Sequence, residues 1–437
     1  MPNVIAIIFW GLVMIGIIVF VHEGGHFIAA RLMRIRVREF MFGLPGPSIG
    51  FKIKKTRYGV TAIPLGGYCL IAGEGGEENP NLAQAYAYLS YWGTLTYEQA
   101  EKSSDSLDFD LVEALDSLES WMTIATIKPR RKSRIHEKRY EMLAATIDGV
   151  DYPQGAPRPV ADLEAAQAHI DAERLHTYAG MPWWRRVVVL LGGSVFNLLF
   201  AIIVITSVLL IVGDVAPTTT IGSIVEGSPA AQAGLVAGDV LKSIDGVECA
   251  TWEDFTQAIA AHEVGETVRI RYLHAGAERS ALITLADNKG SPMVGVTTQL
   301  ERVPMAITKA LRMSVGLIGQ AGKIILQLFN PATFSETVSQ SSSVVGIAVE
   351  AERAASAGLM QFIVLSAVLS ISIGLMNLLP VPPLDGGKII IETIQRLTRR
   401  IVPVRIINGI SIAALLLLAL LFIVVTNQDI HRYFLGG

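Results

Sequence analysis

An apolar run that contains two histidines and a glutamate constrains this 437-residue chain more than any other feature. Residues 4–30 are long enough to cross a bilayer as one helix, and they include the sequence VHEGGH at positions 21–26. An ionisable side chain inside a membrane span costs about 2.5–3.5 kcal/mol, so its presence indicates a functional site. The chain is therefore expected to carry out its chemistry at membrane depth.

The spacing of VHEGGH predicts a metal site. His22 and His26 are four residues apart, so on a helix they share one face and can offer two ring nitrogens to one ion. Glu23 is not needed as a ligand, and it is free to act as a general base toward water, as in H-E-x-x-H zinc hydrolases. This three-position pattern also occurs by chance in soluble helices, but a membrane span disfavours chance polar residues.

A zinc site of this kind needs a third protein ligand, and the far end of the chain offers one. The third hydrophobic segment, residues 358–380, runs into MNLLPVPPLDGGK, where the prolines break the helix just before Asp385. Basic residues follow, so this end is expected to face the same side as VHEGGH. The prediction is one Zn²⁺ per chain, held by His22, His26 and Asp385; a plain helix cap is the alternative role for Asp385.

Two amides are also expected within the membrane. Asn377 lies on the same broken segment as Asp385, where it either stabilises an oxyanion at the substrate carbonyl or only bonds a neighbouring helix. Asn197 lies in the second apolar segment, where it either bonds a neighbouring helix or binds substrate. Near it, Gly192 and Gly193 predict a close approach of two helices.

Composition excludes several classes of protein. With 51% hydrophobic residues and a mean hydropathy of +0.45, the chain is too apolar for an ordinary soluble enzyme. Its 17% charged residues are too many for a pure membrane bundle, and a net charge of −3 argues against nucleic acid as a partner. The only cysteines, Cys69 and Cys249, exclude a disulfide framework and a cysteine-based metal site.

The fold class predicted from these runs is a polytopic α-helical membrane protein. It has about four transmembrane helices, a membrane-associated β-hairpin or sheet, and one extracytoplasmic α+β domain. Basic residues that follow the first run place VHEGGH toward the cytoplasm. The expected segments are a first transmembrane helix (1–38), a membrane-reentrant β region (39–78), a cytoplasmic polar insertion (79–181), a second transmembrane helix (182–214), a β-rich outer domain (215–300), an amphipathic membrane-surface helix with a linker (301–356), a third transmembrane helix (357–400) and a fourth with the C-terminus (401–437).

The β region mixes glycine and proline with short alternating apolar residues, which predicts strands and tight turns. Residues 58–71 are apolar enough to enter the membrane beside the metal. Extended backbone is tolerated there only where protein covers it or where it lines a cavity. A hairpin on the cytoplasmic surface is the alternative.

The outer domain alternates short strands and turn glycines with one expected helix at residues 251–261. Its sequence SPAAQAGLVAGDVLKSIDG closely resembles that of PDZ domains in membrane and periplasmic proteases. Such domains bind extended peptide ends by strand addition; a β-module without a ligand is the alternative. After this domain, residues 303–329 have helical apolar spacing, which predicts a helix on the outer leaflet or a buried helix of the outer domain.

The order of HEGGH, IPLGGY, the PDZ-like module and NLLPVPPLDGG resembles the site-2 protease family, in particular its bacterial PDZ-bearing branch. The resemblance implies zinc held by His22, His26 and Asp385. The remaining roles that it implies are Glu23 as base, Asn377 at the scissile carbonyl, Asn197 in contact with substrate, and Pro64, Leu65, Gly66 and Gly67 paired with an unwound substrate strand.

The expected activity is that of an intramembrane zinc metalloprotease, which hydrolyses a peptide bond in or near the transmembrane helix of a single-pass membrane protein after a first cut. Anti-sigma factors and remnant signal peptides are the substrates that the resemblance implies, and the bacterial plasma membrane is the location. The PDZ-like domain would filter substrates by size or dock them, and the long insertion would be regulatory or lineage-specific. A non-catalytic scaffold and a metal transporter are the rival interpretations.

Overall fold

The computed structural model describes residues 3–63, 66–74, 79–127, 137–147, 150–158, 162–400 and 402–435. The helices are α1 Val4–Leu32, α2 Leu82–Trp92, α3 Tyr97–Ser104, α4 Leu111–Ser120, α5 Leu163–Arg174, α6 Trp183–Val212, α7 Pro229–Gln232, α8 Trp252–Ala260, α9 Ile307–Gln327, α10 Phe334–Gln340, α11 Val344–Ala357, α12 Leu359–Asn377, α13 Asp385–Thr398 and α14 Val404–Ile430, with a π-helical turn at His431–Leu435. The strands are β1 Val37–Phe42, β2 Ser48–Ile53, β3 Thr56–Thr61, β4 Gly67–Ile71, β5 Thr94–Thr96, β6 Ile124–Ile127, β7 Arg139–Met142, β8 Ala145–Ile147, β9 Val150–Tyr152, β10 Asp214–Ile224, β11 Val240–Ile244, β12 Val247–Glu248, β13 Thr267–His274, β14 Ala277–Thr284, β15 Ala286–Asn288, β16 Ser291–Met293 and β17 Val296–Val303.

The chain divides into two compact units, Met1–Ile205 with Ser314–Gly437, and Thr206–Met313. Within the described residues, four helices are long and apolar enough to cross a membrane: Val4–Leu32, Trp183–Val212, Leu359–Asn377 and Arg405–Tyr433. The protein is thus a multi-pass membrane protein, and the predicted fold class of about four spans with β-rich parts is confirmed.

The region after α1 is a four-stranded sheet, as the mixed glycine, proline and apolar pattern predicted. The strand order is β2-β3-β1-β4, with β1 parallel to β3 and antiparallel to β4. The Phe40 ring lies 5.6 Å from the Phe20 ring and 5.2 Å from that of Phe27. The sheet therefore packs along α1, and its edge strand β4 is the strand that continues toward the insertion.

The insertion forms a small domain with its own hydrophobic core. The helical periodicity of residues 106–121 and 161–176 predicts two helices, which correspond to α4 and α5, while α2, α3 and the β5-β7-β6 sheet were not predicted. Leu89, Leu115 and Leu118 are fully buried in this core. Tyr140 is buried too, and its hydroxyl donates a hydrogen bond of 2.8 Å to Asp116.

Ion pairs and backbone hydrogen bonds hold the insertion against the start of β1. Arg36 donates to both carboxylate oxygens of Glu173, and Arg38 lies 3.4 Å from Glu119. Burial alone would raise the pKa of Glu173, but the hydrogen bonds from Arg36 outweigh it and hold that pKa below its usual value. The Tyr178 N–H also donates to the Ala72 carbonyl at 2.8 Å, so the two ends of the insertion lie side by side.

The second unit is a β-rich, PDZ-like domain. Its sheet has the order β14-β13-β11-β10-β17, with β12 paired to β11. Phe255 and Ile259 of α8 pack against a core that includes Ile270. Thr251 caps α8 through a reciprocal hydrogen-bond pair with Asp254, which explains why the helix begins at Trp252.

The segment predicted as a surface helix with a linker contains three helices, so the linker prediction is wrong. α9 is amphipathic, whereas α11 packs against α1, and a Cβ placed on Gly11 would lie 2.7 Å from the Ala348 Cβ. Ser343 caps α11 by accepting from the Val345 N–H at 3.1 Å, and the buried Asp429 accepts from the Ser343 N–H at 2.6 Å. These polar contacts begin a helix in the segment that was predicted as a linker.

The spans α1 and α6 touch backbone to backbone. A Cβ added to Gly25 would stand 2.7 Å from the Gly192 carbonyl carbon and 2.8 Å from the Phe196 Cβ. A Cβ added to Gly192 would stand 2.8 Å from the Ala29 Cβ. Small residues permit this approach, as the glycine pair in the second apolar run predicted.

The neighbouring glycines of α1 provide a matched test of this contact. Gly25→Ala should destabilise the protein by about 1–3 kcal/mol, because the methyl group overpacks the interface with α6. Gly24→Ala should be neutral or stabilising by up to about 1 kcal/mol, because a Cβ at Gly24 meets nothing within 4 Å and alanine is the better helix former. Thermal unfolding of both variants in detergent checks this; equal unfolding temperatures would contradict the described contact.

Candidate metal centre

The three predicted ligands converge from opposite ends of the chain. The Nε2 atoms of His22 and His26 are 3.2 Å apart, and each lies 3.3 Å from Oδ2 of Asp385. All three residues are buried, and among the described residues they form the one such cluster of possible metal ligands.

These distances fit a divalent metal ion. Ligand atoms bound at 2.0–2.1 Å in a tetrahedral zinc site stand about 3.3 Å from one another. Oδ2 of Asp385 is buried and accepts no ordinary hydrogen bond from the part of the chain described. Without a shared cation, three lone-pair-bearing atoms would face one another at this spacing, which is unfavourable in a buried site. The residues therefore fit the zinc that the sequence predicted.

A backbone carbonyl orients His26. Its Nδ1 lies 2.8 Å from the carbonyl oxygen of Val189, on the first half of α6. That hydrogen bond requires the proton on Nδ1, so the Nε2 lone pair is directed at Asp385 and the metal position. The sequence contains no signal for this contact, because any residue supplies a carbonyl.

Asn197 lies against the other imidazole. It is fully buried, and its side-chain amide is 3.3 Å from Nδ1 of His22. With Nε2 of His22 directed at the metal position, Nδ1 carries the proton and needs an acceptor. Rotating the amide by about 180° presents its Oδ1, which otherwise is buried without a partner in the described structure. Ser370 of α12 donates to the Asn197 carbonyl at 3.0 Å, so Asn197 links three spans.

A glycine leaves room for the two imidazole rings. A Cβ on Gly193 would lie 2.6 Å from Cε1 of His22 and 2.7 Å from its Nε2, and it would also meet Nε2 of His26. The sequence predicts helix approach at both Gly192 and Gly193. The structure separates them, since Gly192 faces the α1 backbone and Gly193 faces the imidazoles.

Two glycines bring Asp385 back to the histidines. Asp385 is the first residue of α13, which follows the proline-rich turn after α12. A Cβ on Gly386 would lie 2.5 Å from the carbonyl carbon of Leu378, and one on Gly387 would lie 2.5 Å from that of Val381. The DGG sequence is therefore required for the close return of the chain.

The other predicted residues lie around this centre. Glu23 is on α1 beside His22. Gly67 is the first residue of β4, and a Cβ added to it would lie 3.4 Å from the Cγ atom of Glu23. Gly66 stands in the preceding turn with φ of +86°, where glycine is favoured. Pro64 and Leu65 lie outside the described residues. Asn377 is the half-buried last residue of α12, and its predicted role stays a prediction.

The second unit has a groove of about 700 Å³ between α8 and the residues that lead into β17. β17 is an edge strand of the sheet, so its free side is available for strand addition. The apolar part of its lining includes Val225, Trp252, Phe255, Ile259, Met293 and Val296.

A buried pair of histidines with an aspartate among membrane spans defines a class of membrane protein with a metal-ligating centre. Comparison with known proteins identifies the family. The chain matches peptidase family M50 over residues 10–421, so it belongs to this family of zinc metalloproteases.

Relatives match along nearly the whole chain. A zinc metalloprotease RasP of Geobacillus kaustophilus is 27% identical, covering 97% of each chain. The regulator of sigma-W protease RasP of Bacillus subtilis is 26% identical over 97% of this chain and 98% of its own. Among solved structures, the PDZ domain of an SdrC-like protein from Listeria monocytogenes is 34% identical over 19% of this chain and 87% of its own, with a TM-score of 0.18.

Substitution of Asn197 tests its contact with His22. Asn197→Leu should lower zinc affinity about 10- to 100-fold, because the imidazole loses the partner that fixes its tautomer. Asn197→Asp, which keeps an acceptor at this place, should retain most of the affinity. Competition with a zinc chelator on the purified protein measures both variants, and equal affinity in the two would argue against this positioning role.

Proposed function

We propose that the protein hydrolyses peptide bonds at membrane depth, with one Zn²⁺ held by His22, His26 and Asp385. The observation that carries this proposal is the meeting of three buried ligand atoms, 3.2–3.3 Å apart, on a span that also bears Glu23. Zinc, when bound, supplies Lewis-acid activation of water and of the peptide carbonyl.

Glu23 acts as general base in this proposal. Its carboxylate takes a proton from the attacking water as the water oxygen bonds to the carbonyl carbon, and it returns a proton to the amide nitrogen as the C–N bond breaks. The product ends are then a carboxyl group and an amine, so atoms and charge balance. Asn377 donates from its amide to the carbonyl oxygen, on which negative charge develops.

The substrate binds as an extended strand along β4. A helix hides its carbonyls in hydrogen bonds, so the scissile region must unwind before attack. Among the strands that the structure describes, β4 pairs with β1 alone, and Gly67 at its start lies next to Glu23. Pairing of the substrate with this free edge, including Gly66 and Gly67, satisfies the backbone groups that unwinding exposes and brings a carbonyl to the base.

The substrates are single-pass membrane proteins already shortened by a first cut, with anti-sigma factors and remnant signal peptides as the candidate classes. The name of the Bacillus subtilis relative, a regulator of sigma-W, supports the first class. The basic residues after α1 support a metal centre near the cytoplasmic side of a bacterial plasma membrane, with the PDZ-like domain outside. The groove beside β17 would receive the newly cut peptide end.

Glu23→Gln tests the catalytic role. Cleavage of a membrane-embedded reporter should fall about 10²- to 10⁴-fold, because the amide cannot take the proton. Zinc content should stay at the parental level, whereas Asp385→Ala should lose both zinc and cleavage. A scaffold would leave the proteolysis of the reporter unchanged in Glu23→Gln, and a transporter would instead move zinc across proteoliposomes.

The insertion can be removed cleanly, which tests its expected regulatory role. A Cβ on Gly73 would lie 2.9 Å from the Thr177 Cβ, so two glycines can replace residues 75–176 without moving the flanking chain. We expect a changed cleavage rate or substrate choice in the shortened protein, with its zinc content retained. Identical cleavage of a panel of reporters by both proteins would show that the insertion has no such role.

A further inference from the structure

The helix that begins at the metal ligand Asp385 has an apolar face turned away from the protein. α13 contains Ile390, Ile394 and Leu397, whose side chains are 41%, 44% and 78% exposed. Their spacing of four and three residues places them on one side of the helix. This side is unpartnered in the part of the chain described.

The opposite side of α13 is polar and anchored. Glu392 pairs with Arg186 at 2.9 Å. Between the two sides, the Thr393 hydroxyl accepts a hydrogen bond of 3.3 Å from the indole N–H of Trp183. Lys388 lies 3.3 Å from Glu74. A helix that turns its polar side to the protein and its apolar side outward has the reverse arrangement of a soluble surface helix.

These anchors fix the depth of α13 in the bilayer. Asp385 lies with His22 and His26 within a span, while Glu392 and Thr393 meet the first turn of α6, which starts at the aromatic pair Trp183 and Trp184. Tryptophans gather at the boundary between hydrocarbon and headgroups. α13 is about 21 Å long, so it starts at the depth of the metal centre, and its second half, from Glu392 onward, lies at this boundary.

Positive charge is concentrated where α13 reaches the headgroups. Arg396, Arg399 and Arg400 are exposed at its end, and Arg405 follows at the start of α14. Glu392 is the acidic side chain of this helix beyond Asp385, and it is already paired with Arg186. The end of α13 is therefore complementary to anionic lipid.

We propose that α13 docks into an anionic bilayer surface, with Ile390, Ile394 and Leu397 among the acyl chains and its terminal arginines on lipid phosphates. Because Asp385 is the first residue of this helix, lipid docking also holds a metal ligand in place. The proposal depends on the chain being a membrane protein and not on peptide-bond cleavage.

The depth of the two faces is measured on the full chain in phosphatidylcholine vesicles that contain phosphatidylglycerol. An environment-sensitive fluorophore is placed at Leu397→Cys or, as the matched control on the other face at a similar level of the helix, at Gln395→Cys. Both labelled proteins carry Cys69→Ser and Cys249→Ser. Lipids brominated on the acyl chain should quench the probe at position 397 more strongly than the probe at 395. Equal or reversed quenching would overturn the proposal.

The charge preference is measured with the same probe at position 397, using brominated phosphatidylglycerol against brominated phosphatidylcholine. One basic residue near an anionic surface contributes about fivefold in binding, so phosphatidylglycerol should be preferred by at least about fivefold. The preference should disappear in Arg396→Gln/Arg399→Gln/Arg400→Gln. It should persist in the control Arg269→Gln/Arg279→Gln/Arg302→Gln, which changes the net charge equally in the second unit. If the preference for phosphatidylglycerol were lost in both triple variants, or in neither, specific docking by α13 would be refuted.

Discussion

The metal centre depends on the backbone contact between α1 and α6. Gly25 and Gly192 remove the side chains that would hold these spans apart. Only at this separation does the Val189 carbonyl reach Nδ1 of His26, and only then does Asn197 reach His22. In hydrocarbon such contacts cannot rely on the hydrophobic effect, so close packing and buried hydrogen bonds determine the geometry.

The remaining ligand comes from a different kind of element. Asp385 begins a short helix after a proline-rich turn, and two glycines let that helix return against the end of α12. Contacts between α13 and α6 restrain Asp385, the ligand that α1 does not supply. The lipid docking proposed for the outer face of α13 restrains it further.

Sequence reasoning was most successful where the signal is local. The H-E-x-x-H spacing and the carboxylate beyond the proline break predict the cluster of His22, His26 and Asp385 found in the described residues. The four apolar runs correspond to the four long helices described there. Sequence reasoning does not predict α11, which lies in the expected linker, because the start of this helix is held by a hydrogen bond from Ser343 to Asp429, a residue 86 positions away. The core of the insertion was also missed, since its buried leucines are scattered among charged residues over several short elements.

The sequence by itself determined which segments enter the membrane, which side chains can bind a metal, and where in the chain the β-rich domain lies. These follow from composition, periodicity and spacing over at most a few turns of chain. Only the tertiary structure decided what Asn197 contacts, which of two adjacent glycines faces the imidazoles, and which side of α13 points outward. Those outcomes depend on contacts between residues more than 150 positions apart, and no local pattern encodes such distances.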